Sequence, residues 1–575
     1  MLKLFRFLKP YWLTITAVII LVFLQTLGDL YLPTLMSDII NEGVMQGDTN
    51  KILQIGGQML LVAAGGVIAA IIASYFSSGI AMNFGRILRN KVFRRVESFS
   101  LHEFDKFGTA TLITRTTNDI TQIQMVTVMI MRMMISAPLM AAGGIILALR
   151  RDKPLTLVLA VAIPVLGIVI AILASRVIPL FRLIQKKVDR INLVLREKLT
   201  GIRVIRAFNT MDRERARFDD ANNDLTNNYI VVNKIMAFMM PSIMLIMSLT
   251  QLSILWFGAV RISNGAMDLG KLSAFMQYAM QIMMSMLMLA MMFIMVPRAQ
   301  AAAIRVNEVL ETEPEIKDPE NASNCTTEKG YIEFRDVTFS YHGAEEPAIR
   351  NISFSAKPGE VTAIIGSTGS GKSTLVNLIP RFYDVDSGNV LVDGVDVREM
   401  TQECLRNKIG FVPQKAVLFS GSITDNIKFG NMEATEEEIQ QAAEIAQASG
   451  FISKMDDGYS HEISQGGTNV SGGQKQRLSI ARALAKKPEI YIFDDSFSAL
   501  DFKTDAKLRA ALKKEISGAT MIIVAQRVGT VLDADRIIVL DEGRIAGIGT
   551  HKELLKTCEV YHEIVTSQLS EEEIA

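Results

Sequence analysis

The sequence predicts a multidomain chain: an all-α, six-helix transmembrane domain with long cytoplasmic helical extensions, followed by an α/β P-loop domain. Three observations carry this. Long apolar runs fill the first 300 or so of the 575 residues, and a mixed polar pattern follows. A complete phosphate-loop motif, Gly366-Ser-Thr-Gly-Ser-Gly-Lys-Ser-Thr374, sits between a β-like run and a helix-like run. Between the halves, positions 311–330 lack periodicity and are rich in turn formers. The expected organisation is a six-span domain over 1–310, a polar linker over 311–330, a soluble domain over 331–569 and an acidic C-terminal tail over 570–575.

Composition narrows the function classes. Sixty basic and sixty acidic residues leave no net charge, so there is no nucleic-acid footprint. The three cysteines, Cys325, Cys404 and Cys558, are scattered and odd in number, and suggest neither a disulfide framework nor metal-ligand spacing. The first ten residues are basic and amphipathic and lead into a full-length apolar span, without a cleavable signal pattern.

Six runs are long enough to cross a hydrocarbon core of roughly 30 Å, which takes about 20 apolar residues. They lie near 11–36, 54–82, 126–149, 155–180, 236–260 and 272–297. The loop from Asn83 to Gln124 carries Arg86, Arg89, Lys91, Arg94 and Arg95; the loop from Arg182 to Lys234 carries Lys186, Lys187, Arg190, Arg203 and Arg206. Basic flanks favour the cytoplasm, so these loops and Lys3, Arg6 and Lys9 face inward, against one short outer turn, Arg150-Arg-Asp-Lys153. Apolar residues recur at helical spacing from Val188 to Leu199, so the spanning helices are expected to run on past the bilayer. Segments near Asp105–Asp119 and Phe208–Asn223 are expected to end in short helices that dock on nucleotide domains.

The sixth span holds nine methionines between Met276 and Met295, with Gln277, Gln281 and Ser285 at four-residue spacing on one face. Polar side chains at membrane depth prefer a bundle interior or a water-filled path, and methionine adapts to irregular contacts. These three residues are candidates for a substrate path; lipid-facing or core methionine is the bland alternative. Arg132 in the third span is a further candidate because an intramembrane arginine is costly, although it could snorkel toward a boundary.

In the soluble half, Val361–Ile365 reads as a strand and Leu375 onward as a helix. In that context backbone N–H groups of Gly369, Ser370, Gly371 and Lys372 can wrap phosphates at a helix start. Lys372 reaches the β- and γ-phosphates, and the Ser373 hydroxyl suits Mg²⁺. The remaining loop positions, Gly366, Ser367, Thr368 and Thr374, complete the cradle. Asp494 closes the strand-like run Ile490–Asp494 and is the expected water-mediated Mg²⁺ partner. The cofactors read from these residues are ATP and Mg²⁺.

Ser471-Gly-Gly-Gln-Lys-Gln-Arg477, upstream of Asp494, completes a set of motifs that resembles an ABC exporter half-transporter over nearly the whole chain. The resemblance implies an α/β ABC ATPase domain in the cytoplasm of a bacterial cell and a multi-pass membrane domain. It implies that Ser471, Gly472, Gly473 and Gln474 grip the γ-phosphate of ATP bound to the opposite subunit. It implies that Tyr341 stacks on adenine, that Gln414 senses Mg²⁺ and touches the membrane domain, and that Ser498-Ala-Leu-Asp501 links two sites. Gly201–Phe208 resembles the second inner loop of such exporters.

Two positions depart from that pattern. The usual catalytic glutamate after Asp494 is Asp495, one methylene shorter, and the usual switch histidine is Gln526; Gln465 also stands where glutamate is common. The departures resemble the degenerate subunit of heterodimeric bacterial multidrug exporters. They imply a different partner chain with a consensus catalytic site, small amphiphilic or apolar substrates and a lipid environment. A fully active homodimer, a lipid flippase and a nucleotide-gated channel or sensor are the alternatives.

Overall fold

The computed structural model describes residues 1–322, 330–516 and 518–569. The acidic tail over 570–575, Cys325 and part of the expected linker lie outside the described residues. Two compact units emerge: Met1–Glu97 with Thr109–Thr312, and Ser98–Gly108 with Glu313–Ala575.

The first unit is entirely helical, and six of its helices are long and apolar enough to cross a membrane. We label the main elements α1 (Trp12–Asp38), α2 (Thr49–Glu97), α3 (Leu101–Phe107), α4 (Ile120–Arg151), α5 (Lys153–Thr200), α6 (Ile202–Ala207), α7 (Met211–Ser263) and α8 (Leu269–Glu311). Each expected span falls inside one of the six long helices. At 1.5 Å per residue α2, α5 and α7 are each about 70–80 Å long, more than twice a hydrocarbon core. The extensions are therefore real helices, and charge holds them together outside the membrane. Lys187 pairs with Asp224, Arg190 with Asp220 at 2.9 Å and Arg217 with Glu197 at 2.7 Å, zipping α5 to α7. Arg305 of α8 clasps Asp119 through two nitrogens, at 2.8 and 2.5 Å.

The helix boundaries correct two expectations. The outer turn over 150–153 shrinks to Asp152, whose carboxylate caps α5 by accepting from Leu155 N at 2.8 Å and pairs with Arg261 of α7 at 2.8 Å. An N-capping acid also offsets the partial positive charge of a helix start, which accounts for an otherwise isolated acid among basic neighbours. Residues from Met211 open the long helix α7, and the short helix of this loop is α6, just before it.

The second unit contains a six-stranded sheet in the order β12-β11-β3-β10-β9-β6 and an antiparallel sheet in the order β2-β1-β4-β5. The strands are β1 (Ile332–Phe339), β2 (Ile349–Ala356), β3 (Val361–Gly366), β4 (Ser387–Val392), β5 (Val395–Asp396), β6 (Ile409–Val412), β7 (Gly421–Ser422), β8 (Glu462–Ile463), β9 (Ile490–Asp494), β10 (Thr520–Val524), β11 (Arg536–Asp541) and β12 (Arg544–Gly549). In the six-stranded sheet all neighbours are parallel except β11 and β12. Both faces of that sheet are covered, so its strands read as continuous apolar runs. Ala363, Ile365, Tyr491, Phe493, Met521 and Ile523 pack into one core; Ile364, Ile490, Ile492, Ile522 and Val524 pack into the other, against β1 and β2. Cys558 is a buried free thiol.

Candidate functional site

Ligands of open parallel sheets bind beyond the carboxyl ends of the strands. Register brings the candidate residues to one such edge. Val524 of β10 is level with both Ile364 of β3 and Asp494 of β9, and Val412 of β6 is level with Phe493. Gly366, Asp494, Gln526 and Gln414 therefore leave four adjacent strands at nearly the same height.

The phosphate loop follows β3 and opens α9 (Lys372–Leu378). Its glycines are required by geometry. Gly371 has φ +94°, and a Cβ there would lie 2.6 Å from Ile349 Cγ2; a Cβ on Gly366 would lie 2.1 Å from the Leu540 carbonyl oxygen. Lys372 Nζ donates to the carbonyls of Gly366 and Ser367, at 2.8 and 2.6 Å. Burial pushes this amine below the usual lysine range, and the charges of Asp495 and Asp494 oppose the shift. A buried ammonium held by two backbone carbonyls and, at 3.5 Å, by Ser370 Oγ suits an anionic ligand. Ser373 Oγ donates to Asp494 Oδ1 at 3.0 Å, so the two oxygens expected to share Mg²⁺ meet directly. Burial, and then the charge of Asp495, pushes the Asp494 carboxyl up; the Ser373 hydrogen bond and Lys372 work against that. A hydroxyl and a buried acid at this separation fit a hard divalent cation.

Asp495, Gln526 and Gln414 converge on one atom. Gln414 Nε2 donates to Asp495 Oδ2 at 3.2 Å, and Gln526 Nε2 donates to the same oxygen at 3.1 Å. Asp495 has φ +46°, a left-handed conformation that aspartate tolerates better than most residues. Its backbone is fixed by a hydrogen bond from its N–H to Val524 O at 3.0 Å and by the Ser498 hydroxyl, which donates to its carbonyl at 2.9 Å. Arg527 donates to Ser498 O at 3.1 Å, and Asp501 caps α11 (Phe502–Glu515) through Thr504 N at 3.0 Å. The loop over Ser498–Asp501 is thus tied to both ends of the acid–amide cluster.

Tyr341 packs edge-on against Phe339 and Tyr383, at centroid distances of 5.1 and 5.5 Å, and its hydroxyl lies 3.0 Å from Thr374 Oγ1. That bond couples the ring to the phosphate loop and was not legible in the sequence. Beside it, His342 meets His102 of α3 at 4.8 Å between ring centroids, and Glu103 accepts from Glu315 N at 3.2 Å. The short helix α3 therefore belongs to the nucleotide-domain unit, although it lies in sequence between two membrane helices.

Ser471-Gly-Gly-Gln474 starts α10 (Gly472–Ala485). Ser471 and Gln474 form a capping box: Ser471 N donates to Gln474 Oε1 at 2.8 Å, and Gln474 N donates to Ser471 Oγ at 3.3 Å. The first-turn N–H groups of Gly472 and Gly473 remain at an exposed helix start. Arg482, unnoticed in the sequence, anchors α10 by donating to Asn426 O and Val417 O, at 2.8 and 3.0 Å, and lies over the paired rings of Phe419 and Phe429.

Of the membrane candidates, Arg132 lies on α4 and the other three on α8. Arg132 of α4 is half-buried and donates to Ser74 Oγ of α2 at 3.3 Å. On α8, Gln277 is half-buried, Gln281 donates to the Asp29 carbonyl of α1 at 2.8 Å, and Ser285 is fully buried with its hydroxyl on Ile282 O. Tyr278, between them, meets Thr34 of α1 through their hydroxyls at 2.7 Å.

Comparison with known proteins agrees with both halves. Residues 15–286 match the model of the ABC transporter transmembrane region, and residues 349–498 match that of the ABC transporter. The chain is 43% identical to an uncharacterized ABC transporter ATP-binding protein of Mycobacterium tuberculosis, over 98% of this chain and 97% of that protein. It is 39% identical to the uncharacterized ABC transporter ATP-binding protein YfiB of Bacillus subtilis, over 100% and 99%. It is 29% identical to the ATP-dependent lipid A-core flippase of Chromobacterium violaceum, over 99% and 97%. The structure of a bacterial Atm1-family ABC exporter with ATP bound superposes with a TM-score of 0.80 at 25% identity, covering 97% of this chain and 98% of that one.

Proposed function

The chain belongs to the ABC transporter family as an ATP-driven exporter half-transporter, and from that premise we propose that it is the degenerate-site subunit of a heterodimer exporting amphiphilic or apolar compounds. ABC exporters work as dimers. In this reading the chain holds ATP at a slowly hydrolysing site and lends Ser471–Gln474 to the hydrolytic site of a different partner.

The convergence of Gln414 and Gln526 on Asp495 Oδ2 carries the proposal. A general base must reach within about 3 Å of the water it activates. Here the acid is one methylene short, and one of its two carboxylate oxygens, Oδ2, already accepts from two amides. Gln526 donates a hydrogen bond but carries no charge toward a γ-phosphate. The binding parts are intact: Lys372, the phosphate-loop N–H groups, Tyr341 and the Ser373–Asp494 pair. Mg²⁺ at that pair would neutralise phosphate charge, and Gln414 stands near enough to Asp495 to report on its neighbourhood. Retention of ATP then favours association of the nucleotide domains between turnovers, a population shift rather than repeated chemistry.

Lipid translocation is the second reading, favoured by the similarity to a lipid A-core flippase. The test of the main proposal is purification of the tagged chain from its native membrane with its partners. A second, different half-transporter bearing glutamate and histidine at the corresponding positions is the expected result. A homodimer with brisk ATPase activity contradicts it.

A further inference from the structure

Three basic residues crowd the turn between α4 and α5, on the side of the membrane away from the ATPase domain. The last span, α8, leads into that cytoplasmic domain, so counting back through the spans puts the α7–α8 and α4–α5 turns outside. Arg150 and Arg151 end α4, and Lys153 begins α5. Basic residues near spans are normally kept on the cytoplasmic side, and this turn goes the other way. Helix ends account for part of it. Arg150 and Arg151 suit the partial negative charge at the end of α4, but Lys153 sits at a helix start, where a cation is disfavoured.

The acids nearby are already committed. Asp152 is buried, with Oδ1 accepting from Leu155 N at 2.8 Å and Oδ2 from Arg261 Nε at 2.9 Å. Asp268, in the neighbouring turn, pairs with Lys271 at 2.7 Å, and Asp38 stands near Arg151. Among the described residues, no ion pair involves Arg150 or Lys153. Yet Arg150, Arg151, Lys153 and Arg261 line one cavity of about 560 Å³, four cations against the single carboxylate of Asp152. Ile146 and Leu149 line the same cavity and are exposed on α4. On α5, Leu157 and Val161 follow Lys153 at four-residue spacing and are exposed as well, so an apolar strip runs from the lysine toward the membrane interior. A cationic rim above an apolar strip at the membrane boundary matches an anion joined to a hydrocarbon chain better than a soluble anion.

We propose that this cavity binds the phosphate of an anionic phospholipid in the outer leaflet, with Arg150, Arg151 and Lys153 around the phosphate and an acyl chain along the exposed strip of α4 and α5. Guanidinium groups match phosphate oxygens in pairs, and lysine adds a point charge. Arg261, held by Asp152, joins the end of α7 to the floor of the site. The site is for a resident lipid, separate from the transported substrate, and it stands alike for a heterodimer and a homodimer.

The test is site-resolved crosslinking in the assembled transporter, held in phosphatidylcholine nanodiscs. Phosphatidylglycerol with a photoreactive diazirine high on one acyl chain is titrated in, and adducts are mapped by peptide mass spectrometry. Adducts are expected in the segment 146–161, saturating at a low lipid fraction, with phosphatidylcholine bearing the same diazirine labelling it far less. Arg150→Gln with Lys153→Gln is expected to raise the half-saturating fraction of phosphatidylglycerol at least about tenfold. Arg150→Lys with Lys153→Arg, which keeps both charges, is expected to stay close to wild type. Binding of labelled ATP checks that each variant is folded; should the double glutamine variant not fold, Lys153→Gln alone decides. Equal labelling by the two lipids, an unchanged half-saturating fraction in the glutamine variant, or an equal loss in the charge-keeping variant overturns the proposal. Displacement of the lipid by excess inorganic phosphate overturns the lipid assignment in favour of a soluble anion.

Discussion

Oδ2 of Asp495 accepts from two glutamine amides, an arrangement that calls for a paired substitution. Asp495→Glu with Gln526→His lengthens the acid and restores a group able to carry charge. A positioned general base contributes about 10²- to 10⁴-fold, so hydrolysis at this chain's own site should rise at least about tenfold in single-turnover assays. Asp495→Ala alone should leave total turnover of the heterodimer within about twofold, because little hydrolysis is lost with it. At Tyr341, replacement by alanine should weaken ATP binding by about 1–2 kcal/mol through lost stacking, measured by titration with a non-hydrolysable analogue. Tyr341→Phe, which keeps the ring and loses the Thr374 contact, should cost less. The phosphate loop and Asp494 were legible in sequence because their signals are local: a strand, a fixed spacing and a helix. The joint grip on Asp495 was not, since Gln414 and Gln526 lie 81 and 31 residues away and only strand order makes them neighbours.

At the scale of elements, two helix starts govern how the chain acts on others. The Ser471 capping box aims the N-terminus of α10 outward, where the proposal places the partner's ATP. Ser471→Arg should therefore nearly abolish ATPase activity and transport of the heterodimer, a far larger loss than Asp495→Ala; equal losses would contradict the division of labour. The short helix α3 is held by its own capping box, Ser100 with Glu103, and by the His102–His342 contact. Glu103→Ala removes a cap worth about 1 kcal/mol and the bond to Glu315. It should lower the amount transported per ATP hydrolysed while leaving ATP affinity near wild type, as measured in proteoliposomes. The six spans and their extensions were readable from apolar length and helical spacing. The start of α7 was not, because the charged stretch from Met211 looks like a loop in sequence; in the fold it runs along α5, with Arg217 paired to Glu197 and Ala221 buried.

For the molecule as a whole, the proposed function pairs a membrane unit that handles substrate with a nucleotide unit whose ATP site would bind better than it hydrolyses. If closure of the nucleotide domains drives the membrane helices outward, a covalent crosslink holding those domains together should stop transport and leave ATP binding intact. Substrate flow down its gradient that persists when the partner cannot hydrolyse ATP would instead indicate a gated channel. The central claim is asymmetry between the two ATP sites. Rapid-quench measurement of labelled ATP in the reconstituted heterodimer tests it most directly. The account predicts one nucleotide hydrolysed and released quickly, at the partner's site, and one retained by this chain through several turnovers; equal hydrolysis and release at both sites would contradict it.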